Sequence, residues 1–177
     1  MSTKQSTSQP PDGISGEHIE PVAGWQRHAS PLSILVFGGV IVLGMAGLLG
    51  HERDWRAEAN GVELRVHSPE IIRNGEFFEI RVDVESSEPI GELVIGIDAS
   101  LWEDVTVNTM IPAAVDEASV DGEFRFTFAP LEAGTPFAFK VDLQVNPDIL
   151  GGNEGAITVY DGDEPLAGTD INITVLP

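Results

Sequence analysis

The chain has 177 residues, 29 Asp and Glu against 9 Lys and Arg, a net charge of −20 and no cysteine. Such charge repels phosphate backbones and anionic headgroups, so nucleic acid is not expected as a partner. The missing cysteines rule out disulfides, thiol nucleophiles and thiolate metal sites.

Residues 1–30, with Ser2, Ser6, Ser8, Pro10, Pro11, Gly13 and Gly16, hold few large apolar side chains. They cannot repay the entropy of ordering, and a disordered tail is expected. Residues 31–50 are uncharged throughout. At about 1.5 Å per residue they make a helix of roughly 30 Å, the thickness of a bilayer's hydrocarbon core, so one transmembrane helix is expected. The pattern Ala57-Glu58-Ala59 resembles a signal-peptide cleavage site. However, the apolar run exceeds the roughly 7–15 residues of a signal core and follows a long polar segment, so an uncleaved anchor is expected.

Lys4 and Arg27 before the run balance Arg53 and Arg56 after it, so charge does not orient the span. The kind of domain that follows favours a cytoplasmic N-terminus and an extracytoplasmic C-terminal domain in the cell membrane. Trp25 and Trp55 flank the run as an interfacial belt would. Gly39, Ala46 and Gly50 fall on one stripe, a candidate helix-packing face.

Residues 51–60 read as a charged juxtamembrane linker closed by Asn60-Gly61. From Val62 the apolar period becomes two. Strands are expected at 62–67 (Val62, Leu64 and Val66 inward), at 78–85 (Phe78, Ile80, Val82 and Val84), at 90–98 (Leu93, Ile95 and Ile97) and at 104–110 (Val105 and Val107). After an irregular acidic stretch near Asp116 and Glu117 come 123–128, with Phe124, Phe126 and Phe128 inward, and 137–145. A final hairpin is expected from 156–160 and 169–176 through Asp161-Gly162-Asp163-Glu164-Pro165. Seven or eight short strands over 61–177 indicate an all-β fold, an immunoglobulin-like antiparallel β-sandwich after one N-terminal transmembrane helix, with a small barrel as the other arrangement.

The Leu131-Glu-Ala-Gly134 corner resembles one found in many bacterial immunoglobulin-like surface modules. With the Leu101-Trp102 and Asn108-Thr-Met-Ile-Pro112 region, the layout over 25–177 resembles uncharacterised bacterial single-pass membrane proteins with a C-terminal immunoglobulin-like domain. That resemblance implies no known activity and no catalytic residues. The layout is also similar to membrane-anchored copper-delivery factors, which bind copper through cysteines that this chain lacks.

His18, His28, His51 and His67 are too scattered to form a ligand set, and His67 with Met110 is too thin to make a metal site. Asp161, Asp163 and Glu164 offer oxygens for an ion, but Asp-Gly is also an ordinary hairpin turn. No metal, cofactor or catalytic residue is assigned, and an enzyme is not expected. The candidate interaction surface is Leu101, Trp102, Met110, Ile111, Pro112 and Val115, apolar where a polar connection belongs. The same residues would also serve as core or as a lid over an open end. The expected function is a membrane-anchored extracytoplasmic interaction or accessory module that holds an acidic sandwich near a protein partner in the membrane or envelope. The alternative is a small envelope hydrolase or carbohydrate-binding domain using surface carboxylates and Trp102.

Overall fold

The computed structural model describes residues 24–47, 52–146 and 151–176, with backbone alone for 24–30. It comprises two units, Met1–Ala46 and Gly47–Pro177.

The described part of the first unit is helix α1, Gly24–Met45. It starts before Pro31 and includes it, and it ends at Met45, two residues before Gly47, whose φ of 75° a side chain would resist. The expected boundaries of 31 and 50 are therefore displaced toward the N-terminus, and Gly50 lies outside the described residues. Leu32, Ile34, Leu35, Phe37, Ile41 and Met45 are all exposed. Apolar side chains thus surround α1 instead of forming one stripe. Among the described residues no helix is long and apolar enough to cross a membrane; the uncharged run continues to Gly50, past the stretch described.

The second unit is a β-sandwich. In chain order its strands are β1 (Glu52–Ala59), β2 (Val62–Pro69), β3 (Ile71–Arg73), β4 (Phe77–Ser86), β5 (Leu93–Asp98), β6 (Val105–Ile111), β7 (Asp116–Val120), β8 (Glu123–Thr127), β9 (Phe137–Val145), β10 (Asn153–Asp161) and β11 (Glu164–Leu176), with a short 3-10 helix, Ala99–Trp102, after β5. One sheet has the order β1-β2-β4-β9-β6 and the other β3-β11-β10-β5-β8-β7. All pairings are antiparallel except β3 with β11.

Alternation decides which side chains enter the space between the sheets. Val62, Leu64 and Val66 of β2, Ile80, Val82 and Val84 of β4, and Phe139, Val141, Leu143 and Val145 of β9 are buried, and they face Ile95, Ile97, Phe126, Ile157, Val159, Ile171 and Ile173 of the second sheet. Two tight turns set registers. Asn60-Gly61 (φ 49° and 74°) joins β1 to β2 and Asp121-Gly122 (φ 53° and 84°) joins β7 to β8, both in the left-handed region that two-residue hairpins need.

The stretch expected as a linker is β1, and Trp55 is buried in the core rather than placed at an interface. Its pairing explains this: Trp55 lies opposite Val66, an inward residue, so the Asn60-Gly61 turn carries the indole between the sheets. The Arg53 guanidinium covers that ring at 5.3 Å. The stretch near Asp116 and Glu117, expected as irregular, is β7. Ile90, expected to begin the third strand, makes only an isolated bridge to Leu131.

Candidate functional site

Strands β6 and β7 each end their sheet and face each other across one side of the sandwich. Register settles what they present. Val105, Val107 and Met110 pair with the inward residues Val145, Leu143 and Val141. A bulge at Asn108 brings Met110 back to the inward side. On β7, Glu117 and Ser119 pair with Phe126 and Phe124 and so point the same way as those rings. Because all five residues of β7 are exposed, the two edges do not close on each other. An open groove of about 410 Å³ remains, with Trp102, Val107, Met110, Phe124 and Phe126 along it and Glu117 as its one carboxylate.

The groove's central ring is fixed by hydrogen bonds around the 3-10 helix. The Asn153 side chain donates to the carbonyls of Leu101 and Glu103 at 3.1 and 2.7 Å. Ser100 donates to the Glu154 carbonyl at 2.7 Å, and Asp98 accepts the Ala156 N–H at 2.8 Å. Gly155 allows this approach, since a Cβ there would meet Ser100 Oγ at 2.7 Å. Trp102 stacks on Phe124 at 5.5 Å and leans on Phe126 at 5.3 Å, and its buried Nε1 has no hydrogen-bond acceptor among the described residues.

The six candidate surface residues therefore do not form one patch. Leu101 is core; Trp102 and Met110 line the groove; Ile111 and Val115 are 57 and 77 % exposed, and Pro112 lies with them in the β6–β7 connection. Alternation along β6 is the reason, for Met110 points in and Ile111 out. In α1 a Cβ on Gly39 would meet nothing, and Ala46 lies past the helix end. Sequence reasoning missed Glu117 and Ser119; the signal was available in Asp121-Gly122, whose tight turn implies a strand on both sides.

Two of the three acids at the β10–β11 turn have protein partners. Asp161 accepts the Glu92 N–H at 2.8 Å, and Asp163 pairs with Arg125 at 2.9 Å. Among the described residues no three His, Cys, Asp or Glu are grouped to hold a metal. His67 and Met110 lie on opposite faces of the first sheet, with β4 and β9 between their strands. Glu123, nearly buried, accepts from Tyr160 Oη at 2.9 Å and from Arg125 Nε at 2.8 Å, and the Arg125 guanidinium sits 4.6 Å from the Tyr160 ring centre. Burial first, and then the Glu123 hydrogen bond, raises the Tyr160 pKa.

On the outer face of β1 and β2, His67 Nδ1 lies 2.7 Å from Asp54 Oδ1, and Nε2 is 3.3 Å from Glu52 Oε2. The Asp54 hydrogen bond raises the His67 pKa, and the same bond lowers that of Asp54. Stabilisation from the raised imidazole is complete below its unfolded pKa and lost as pH rises through the folded one. That from the depressed carboxyl is present above its unfolded pKa and lost as pH falls through the folded one. In a proton NMR titration His67 should therefore have a midpoint above the ordinary imidazole value, and Asp54→Asn should bring it down; no change in that variant would refute the pairing.

No protein-family model and no curated protein matches the chain. Among solved structures it is similar to CaCohA2 from Clostridium acetobutylicum, 20 % identical over 66 % of this chain and 92 % of that one, with a TM-score of 0.41. It is also similar to a non-cellulosomal cohesin from the hyperthermophilic archaeon Archaeoglobus fulgidus (14 % identity, 60 and 86 % coverage, TM-score 0.38). The C-terminal domain of wzt is similar at 15 % identity, 72 and 79 % coverage and a TM-score of 0.38. Likenesses this slight carry no argument about what the chain does.

Proposed function

We propose that the chain is a non-enzymatic, membrane-anchored interaction module whose acidic β-sandwich stands outside the cytoplasm and meets a protein partner in the membrane or envelope. The observation that carries it is α1, whose large apolar side chains are exposed around the helix. Water is a poor solvent for such a surface, at about 25 cal/mol per Å², and lipid is a good one. The anchor in this reading is the uncharged run 31–50, which includes residues beyond those described. Anchoring raises the sandwich's effective concentration near a partner in the same envelope, and the groove supplies an apolar contact of the kind interfaces use.

The immunoglobulin-like arrangement belongs to the same proposal: without β1, β3 and β7 eight strands remain, where the periodicity indicated seven or eight. The groove offers no pair of facing carboxylates, and Trp102 is packed on Phe124 and Phe126, so the proposal does not extend to glycoside cleavage or sugar stacking there.

A carbonate wash of membranes tests the anchor. The full chain should stay in the pellet, whereas Val36→Arg with Val40→Arg, each costing about 2.5–3.5 kcal/mol near a helix centre, should move it to the supernatant. Release of the unaltered chain would overturn the reading.

A further inference from the structure

On the interaction reading above, we infer that the β6–β7 groove takes an extended polypeptide segment in which apolar side chains alternate with lysine or arginine, added as a further strand along β6. β6 ends its sheet, so one row of its backbone N–H and C=O groups has no neighbouring strand among the described residues. Such edges are usually guarded by charge. β1, at the other end of the same sheet, carries Glu52, Arg53, Asp54, Arg56 and Glu58, and β7 carries Asp116 and Glu117. β6, Val-Thr-Val-Asn-Thr-Met-Ile, has none, although residues 51–177 hold 26 acids. It is the unguarded edge of a highly charged domain.

A strand added there would turn one set of alternate side chains into the groove, where Trp102, Val107 and Met110 take apolar groups, and the basic set to the outer face, where the exposed Asp142 lies across β6 opposite Thr109. No Lys or Arg lines the groove, while the exposed acids Glu103, Asp104, Asp116 and Asp121 flank it in sequence. The complementary charge is positive. A second copy of this chain would bring its own acids against these, so like charge disfavours self-pairing, and a basic segment of another protein is the occupant.

The test uses a fluorescein-labelled decapeptide of alternating valine and lysine with the detergent-solubilised full chain. A block peptide, five valines then five lysines, keeps its charge but not its alternation. Fluorescence anisotropy should show the alternating peptide binding about tenfold or more tighter than the block form, and hydrogen exchange should slow along 105–111. Asp142→Lys, an exposed change that should leave the unfolding transition in place, should weaken binding by about tenfold. Equal affinity for the two peptides, or no effect of Asp142→Lys, would reduce the attraction to surface charge and overturn the inference. Protection on another strand would place the docking site elsewhere and leave the interaction module standing. Binding by neither peptide would sink the groove as a docking site, whereas failure of the module's anchor would appear independently in the carbonate wash.

Discussion

Phe139→Ala should lower the unfolding free energy of the sandwich by about 3–5 kcal/mol, measured by urea denaturation of the detergent-solubilised chain with tryptophan fluorescence as the probe. Phe139 is fully buried on β9, between β4 and β6, and its ring reaches Phe126 of the opposite sheet (5.8 Å) and Phe128 just past the end of β8 (5.0 Å). Phe128 also meets Phe137 at 4.9 Å. Removing this ring deletes an aromatic contact between the two sheets and leaves a cavity the rigid strands cannot close. A single domain is stable by about 5–15 kcal/mol, so the variant should lie near the folding threshold. A loss below about 1 kcal/mol would mean the sheets are held together elsewhere.

Gly96→Ala should be nearly as damaging, at about 2–4 kcal/mol, although it adds one methyl group. Gly96 sits on β5 between β8 and β10, opposite Arg125 and Thr158, and the Glu123 carboxylate crosses above it to reach Tyr160. A Cβ at that point runs into the carboxylate. The displaced Glu123 then loses its Tyr160 and Arg125 donors while its side chain is only 12 % exposed. A second change, Glu123→Ala, separates this cause from backbone propensity. It should recover part of the loss in the Gly96→Ala background while destabilising the unaltered chain, a coupling absent if the two positions act independently.

Legibility in the sequence followed burial. Seven of the eight strands with a period of two carry buried residues into the core, as in Val62-Glu-Leu-Arg-Val66 or Phe137-Ala-Phe-Lys-Val141, and the eighth, β6, lays Val105 and Val107 half-buried against it. The three that periodicity did not show, β1, β3 and β7, all end a sheet. β3 has three residues, too few for a pattern, and β7 buries none of its five. β1 buries Trp55 alone amid charges, which in sequence is indistinguishable from an interfacial tryptophan beside a linker. The groove was half legible for the same reason. Trp102 and Met110 stood out as apolar residues in a connection, but Glu117 takes its place through pairing with Phe126, which only the Asp121-Gly122 turn signals because β7 buries no residue that would give a period.

In the proposed function, lipid takes the uncharged run and the sandwich stands outside the cytoplasm. Since the chain has no cysteine, single substitutions give unique handles: Ser2→Cys before the run, and Val115→Cys on the exposed β6–β7 connection. Treating intact cells with a membrane-impermeant maleimide should label Val115→Cys at once and Ser2→Cys only after permeabilisation, with both proteins in the membrane fraction. Labelling of Ser2→Cys in intact cells while Val115→Cys stays protected would contradict the account.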